Sequence, residues 1–175
     1  MCIRDSILQA IAETRVPAED IGQMPVNPIH CDFHPGNLKF EHNKVVGIFD
    51  FDWSKIDLRL FDVCFALLYF CSRWYDKYDG ELRLNRCADF LRTYQESLGK
   101  SGGLEPLNAV EFHNLLPMLS FANLYLINWT VRTYHANPAL NDYEYLAYLK
   151  HSVRLMYWMK EHQDEVYAAI VKAFQ

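Results

Sequence analysis

Between Val26 and Asp52 the chain gathers groups able to bind cations and move protons. They are His30-Cys31-Asp32-Phe33-His34-Pro35-Gly36-Asn37, followed by Gly47-Ile48-Phe49-Asp50-Phe51-Asp52. Asp32 lies five residues before Asn37, His30 two before Asp32, and Asp50 thirteen after Asn37. Asn37 offers a neutral amide oxygen and Asp50 a charged one. Magnesium prefers hard oxygen ligands of this kind and keeps waters and phosphates in its other positions. Asp32 adds a carboxylate able to take a proton from a hydroxyl. Phosphoryl transfer uses such groups, because its transition state spreads negative charge over three oxygens and asks mainly for positioning and neutralisation. Taken singly, Asp32 and Asp50 read equally as turn or capping acids. Their joint spacing with Asn37 is what points to chemistry. A zinc module built from His30, Cys31, Asp32 and His34 is a competing reading. It is the poorer one, since four ligands within five residues make bad tetrahedral geometry and no distant Cys or His pair has metal-site spacing.

The surrounding elements must hold these groups in place. Pro28-Ile29-His30 is expected to be extended, because a residue before proline avoids the helical region. Residues 37–41 and 45–49 bracket His42-Asn43-Lys44 and read as a short hairpin that brings Asn37 and Asp50 to adjacent ends. Ser6 to Glu13 reads as a helix leading toward the loop. Leu60 to Trp74 is apolar nearly all round and reads as a buried central helix. Glu81 to Leu98 is amphipathic, with Gly99 as its C′ residue. Ser101-Gly102-Gly103 reads as a turn. A long helix is expected from about Asn108 to Tyr134, divided at Pro117, then a break at Asn137-Pro138. Asn141 and Glu144 suggest a capping box opening a last helix to about Ala173. The fold class is α+β and mostly helical, a small hairpin on a helical bundle.

The loop His30-Cys31-Asp32-Phe33-His34-Pro35-Gly36-Asn37-Leu38 resembles the H-G-D-x-H-x-x-N signature of the aminoglycoside phosphotransferase and choline kinase superfamily, which has a protein-kinase-like fold. Gly47 to Asp52 resembles that family's apolar strand with its metal-binding Asp, and Phe61-Asp62-Val63-Cys64 its later Y-D-L-A. The continuation is most similar to the homoserine kinase branch, through Leu67 to Trp74, Leu104-Glu105-Pro106-Leu107, Glu111, Leu116-Pro117 and an aromatic-rich helix reaching Arg132. The resemblance implies the C-terminal lobe of an ATP-dependent kinase for homoserine, an amino alcohol or an aminoglycoside-like acceptor, with Mg2+ and ATP as cofactors. It implies Asp32 as the base, Asn37 and Asp50 as magnesium ligands, and Asp52 in a lesser role through a water. His30 and Asp62 become structural supports, Asp62 by accepting backbone N–H bonds of the catalytic loop. Cys31 departs from the family's small Gly or Ala, and Lys39 is expected to face solvent.

Other residues read more plainly. His34 is taken as structural. Arg59, Arg73 and Arg132 are expected to be solvated or interhelical rather than bound to a substrate carboxylate, and Tyr69, Phe70, Trp74 and Tyr75 to be core. No Gly-rich phosphate loop and no apolar strand with its lysine precedes the catalytic loop, so the amino-terminal lobe of such a kinase is absent from the sequence. Met1 to Asp5 resembles the in-frame translation of a sequencing-library adapter, which gives an expected division into a non-native scar at 1–5 and one catalytic lobe at 6–175. As it stands, the chain could alternatively be an inert fragment or an interaction domain.

With 51% hydrophobic residues among 175, the chain can bury a core. Its net charge of −5 argues against nucleic acid as a partner. No apolar run is long enough to span a bilayer, and Met1 to Ala12 lacks the continuous apolar core of a secretory signal. The five cysteines, Cys2, Cys31, Cys64, Cys71 and Cys87, include no C-x-x-C pair and suit free thiols in the cytoplasm. Cys64 and Cys71, seven apart, are expected in the core.

Overall fold

The computed structural model describes residues 3–100, 103–136 and 142–174. Cys2, most of the Ser101-Gly102-Gly103 turn, the Asn137-Pro138 break and the Asn141 cap lie outside them. The chain opens with α1 (Ile3–Glu13) and the single turn α2 (Ala18–Ile21). Four short strands follow: β1 (Val26–Ile29), β2 (Leu38–Glu41), β3 (Lys44–Ile48) and β4 (Lys55–Leu58). Among the described residues the α-helices that follow are α3 (Arg59–Cys71), α4 (Leu84–Lys100), α5 (Ala109–His113), α6 (Leu115–Ala136), α7 (Asp142–Glu161) and α8 (Gln163–Lys172).

The strands form two antiparallel pairs. β2 and β3 make the expected hairpin, Leu38 opposite Ile48 and Glu41 opposite Lys44. Its turn is His42-Asn43, both at positive φ (48° and 62°), as a tight turn matched to strand twist requires. Lys39 is exposed and pairs with Glu41 at 2.8 Å. β1 pairs with β4, Val26 opposite Leu58 and Ile29 opposite Lys55. Pro28 is tolerated because a strand in a two-stranded sheet always has a free edge.

Helix α3 is the centre of the core. Leu60, Cys64, Leu67 and Leu68 are essentially inaccessible, and they pack with Leu91 of α4 and Leu115 and Leu119 of α6. The helix stops at Cys71 rather than continuing to Trp74, because Ser72 turns extended and bridges to Leu82. Glu81 is therefore committed to backbone pairing with Arg73, and α4 begins at Leu84 instead of Glu81. Gly99 does not end α4, which runs through it to Lys100.

Asn108 does begin the next helical stretch. Its side chain accepts from Glu111 N, while Glu111 Oε2 accepts from Asn108 N, each at 2.9 Å. The division falls at Asn114 rather than Pro117. Pro117 sits in the first turn of α6, where a missing N–H costs nothing. The last helix is likewise split, at His162. Cys31, Cys64, Cys71 and Cys87 are buried free thiols. Among the described residues, no helix is long and apolar enough to cross a membrane.

Candidate active site

The loop between β1 and β2 is clamped from below by α3. The Asp62 carboxylate accepts the backbone N–H of His30 at 3.0 Å and of Cys31 at 2.8 Å, across 32 and 31 residues of sequence. Cys31 has φ +65°. That left-handed conformation suits glycine and strains a residue bearing Cβ, so the clamp holds a turn that the chain alone disfavours. His30 is buried, and its Nε2 contacts the Phe49 carbonyl oxygen at 2.8 Å, which ties the loop to the segment just before Asp50.

The amide of Asn37 then fixes the order within the loop. Its Nδ2 donates to the Asp32 carbonyl oxygen at 2.9 Å and to Asp32 Oδ2 at 3.1 Å. Both partners are acceptors only, so the NH2 must face them and the amide oxygen is directed away from Asp32. The Asn37 backbone carbonyl accepts Phe49 N at 2.9 Å, which brings Asp50 to within one residue of a direct backbone tie to Asn37. Asp50 takes φ +60° and is exposed, as is Asp52.

Asp32 is half-buried. Burial raises its carboxyl pKa, but the His34 bond and charge and the Asn37 bond outweigh this, and the group lies below its ordinary value. It is therefore a carboxylate at neutral pH. His34 Nε2 is 3.5 Å from Asp32 Oδ2, while His34 Nδ1 accepts from Gly36 N at 3.0 Å.

A hard-cation site drawn from these residues would use the Asn37 amide oxygen and the Asp50 carboxylate. Magnesium takes one or two carboxylates and leaves its other positions to waters and phosphates, so this donor set fits it. The zinc reading does not survive. Among the described residues, no three His, Cys, Asp or Glu side chains group as a metal site. His30 is turned to a backbone carbonyl, and the Cys31 thiol is raised by burial, partly offset by Lys55.

Residues 3–99 match the model of the phosphotransferase enzyme family. The chain belongs to this family. Homoserine kinase of Polaromonas naphthalenivorans is 31% identical over 102 residues, 58% of this chain and 29% of that protein. Homoserine kinase of Phenylobacterium zucineum is 26% identical over 66% of this chain and 32% of that protein. The chain thus spans about a third of the length of these curated relatives. Plasmodium vivax ethanolamine kinase shares the fold, with a TM-score of 0.58 at 14% identity over 93% of this chain and 40% of that one.

In this phosphotransferase-family chain a cavity of about 290 Å3 opens beside Asp32 and His34. Tyr69 and Trp74 line it; Tyr69 also packs against the core as expected, whereas Trp74 does not, which corrects its reading as core. The reason is the early stop of α3. Trp74 lies beyond the helix end, donates from Nε1 to the Tyr69 carbonyl, and stacks on His151 at 3.7 Å between centroids. Phe70 does pack inward, near Phe33 and Phe90, whereas Tyr75 is 83% exposed.

Arg59 does not reach the cavity. Its Nε and Nη2 donate to the two Glu111 oxygens at 2.7 Å, and Nη1 to the Glu105 carbonyl at 2.6 Å, all in the interior. Arg73 lies over the Tyr78 ring, and Arg132 is exposed.

The remaining lining residues were missed by sequence reasoning. Trp129 comes from α6, and Glu144, Tyr145 and Tyr148 from α7. A signal existed: Tyr125 and Trp129 are four apart, as are Glu144, Tyr148 and Ser152, so each set shares a helix face that also carries polar groups.

Proposed function

We propose that this chain is the catalytic lobe of an ATP-dependent O-phosphotransferase whose acceptor is a small hydroxyl-bearing metabolite. The observation that carries the reading is the Asp32–Asn37 pairing on a loop fixed by Asp62, with the hairpin bringing Asp50 alongside. Asp32 is ionised and borders a cavity large enough for a small alcohol. There it accepts the hydrogen bond of the acceptor hydroxyl and takes its proton as the bond from that oxygen to the γ-phosphorus of ATP forms and the bond to the leaving ADP oxygen breaks. The Asn37 NH2 holds the Asp32 carboxylate in the required rotamer. Asn37 through its amide oxygen and Asp50 through its carboxylate would hold magnesium, with Asp52 assisting through a water. An ion held there would supply charge neutralisation for the transferring phosphoryl group. His30 and Asp62 position the loop and do no chemistry.

Homoserine, an amino alcohol and an aminoglycoside-like sugar are the acceptor classes that the family resemblance of the loop suggests. In the enzyme carrying this lobe, Asp32→Asn is expected to lower kcat by about 100- to 10,000-fold, the usual contribution of a positioned base, with little change in KM. Turnover at the wild-type rate would remove Asp32 from the chemistry. On the lobe alone, Mn2+ as a paramagnetic probe is expected to broaden the NMR signals of the Asn37 side-chain NH2 and the Asp50 amide, and to do so less in Asp50→Ala. Equal broadening in that variant would remove Asp50 from the metal site.

A further inference from the structure

We infer that Cys71 and Cys87 form a peroxide-responsive thiol pair, whose oxidation to a disulfide staples the end of α3 to the start of α4 across the base of the 72–83 loop. The inference is independent of the phosphotransferase reading and goes beyond it.

Three observations carry it. First, the backbone sets the two cysteines side by side. Cys71 ends α3, and its carbonyl accepts Arg83 N at 2.8 Å. Cys87 lies one helical turn beyond Arg83 and donates its N–H to the Arg83 carbonyl at 3.1 Å. The two thiols are hydrogen-bond partners within the core. The other described cysteines point elsewhere: the Cys64 thiol is 3.6 Å from the Leu115 carbonyl oxygen, and the Cys31 thiol meets Tyr125. Second, the paired thiols are unequal. Their hydrogen bond holds the Cys71 thiol below its ordinary value, against its burial and with help from the Arg86 and Arg83 charges. The same bond, together with burial, pushes Cys87 up. A lowered thiol beside a raised one divides the roles of nucleophile and resolving thiol. Third, the segment between them is already a closed loop. Ser72 bridges to Leu82, Arg73 N donates to the Glu81 carbonyl at 2.8 Å, and Gly80 N to the Arg73 carbonyl at 3.0 Å. A bond between Cys71 and Cys87 continues this ladder with a covalent rung.

Cys71 and Cys87 are only 2% and 5% exposed, which limits the oxidant to one near the size of water, such as hydrogen peroxide, entering when the loop opens locally. The Cys71 thiolate attacks one peroxide oxygen. The O–O bond breaks, and the departing hydroxide takes up the proton that Cys71 released and leaves as water. The Cys87 sulfur then attacks the sulfur of the Cys71 sulfenic acid. The S–S bond forms, the S–O bond breaks, and the hydroxide leaves with the Cys87 proton as a second water. Two thiols thus give two electrons to one peroxide, and a thiol reductant reverses the change.

The test is titration of this chain with hydrogen peroxide, followed by blocking of free thiols, tryptic digestion and mass spectrometry. The expected product is the peptide of residues 60–73 joined to that of residues 87–92, with fragmentation placing the bond at Cys71 rather than Cys64. Oxidation is expected to raise Tm by about 5 °C, as closure of a short loop does, and dithiothreitol to restore the starting value. In Cys87→Ser, dimedone is expected to trap the sulfenic acid on Cys71, whereas in Cys71→Ser it is expected to leave Cys87 unlabelled. The crosslink and the Tm are read in the wild-type chain, so they decide the inference even where a variant fails to fold. Thiols that stay reduced at both positions, a crosslink through Cys31 or Cys64 instead, an unchanged or lowered Tm, or labelling of Cys87 in place of Cys71 would each overturn it.

Discussion

Replacing Asp62 by alanine tests whether the loop that carries Asp32 is held from α3 or holds itself. Asp62 makes two hydrogen bonds to backbone N–H groups, at 3.0 and 2.8 Å, and the residues carrying those groups, His30 and Cys31, are buried. A bond to a charged acceptor contributes about 1.5–3 kcal/mol, so the pair amounts to about 3–6 kcal/mol. Asp62 is only partly buried, and water can reach the freed N–H groups once the loop relaxes, which favours the lower end. The left-handed Cys31 works the same way, since a residue with Cβ costs about 1–2 kcal/mol there and would leave that conformation when released. Asp62→Ala is therefore expected to cost about 3 kcal/mol. With a urea m-value of about 2 kcal/mol/M for a chain of this size, the midpoint falls by about 1.5 M. Asp62→Asn should lose roughly half as much, because the amide keeps one acceptor while its NH2 opposes the second N–H. Urea unfolding gives the global cost. Hydrogen exchange at the His30 and Cys31 amides separates it from local opening of the loop alone. If both amides remain as protected in Asp62→Ala as in the wild type, the clamp is not what shapes the site.

Two further expectations concern the same framework. Glu111→Gln leaves the buried Arg59 guanidinium without its countercharge and is expected to destabilise by about 3–5 kcal/mol in urea unfolding; a loss under about 1 kcal/mol would show that the Glu105 and Pro106 carbonyls suffice. His151 is lowered by burial, with Asp79 partly opposing and Arg154 adding to the shift. The unfolded chain then binds more protons between the folded pKa and the ordinary histidine value near 6.5. Stability contributed by His151 is full above that value and is lost as pH falls through the window. His151→Phe should flatten this part of the stability-versus-pH curve, and an unchanged slope would refute the assignment.

The chemistry-bearing loop was legible in the sequence because its constraints are local. Asp32, Asn37 and Asp50 lie within nineteen residues, and the hairpin that joins the last two carries its own turn and alternation. The Asp62 clamp was legible only through the family resemblance, since nothing in Phe61-Asp62-Val63 announces partners 32 and 31 residues away. Strand β4 was missed because the alternation of Lys55-Ile56-Asp57-Leu58 is only four residues long, too short to stand out alone, and the strand exists by pairing with β1. Helix ends moved where tertiary pairing overrode propensity: the Ser72–Leu82 bridge shortened α3 and delayed α4. The aromatic cavity wall was hardest to read. It joins α3, α6 and α7, and its α6 and α7 residues fall beyond the segment that the family model matches. Single residues such as Trp129 and Glu144 look like ordinary amphipathic-helix residues until the helices are packed.

The register of α3 is what makes these parts one site. Asp62, Phe65 and Tyr69 are spaced three and four apart, so they share one face of the helix. Asp62 holds the loop that carries Asp32, while Phe65 and Tyr69 line the cavity that Asp32 borders. Arg59, one turn earlier on the same helix, anchors α5 and residues 105–106 through its buried guanidinium. Asp32, the cavity it borders and the bundle are thus indexed to a single buried rod, whose rotation about its axis is fixed by Leu60, Cys64, Leu67 and Leu68 in the core. An inserted residue between Asp62 and Phe65 would turn the two halves of that rod by about 100° relative to each other. Either the loop clamp or the cavity wall would then be lost. Loss of acceptor binding or of loop protection, from one insertion at neither residue, is what the shared register requires.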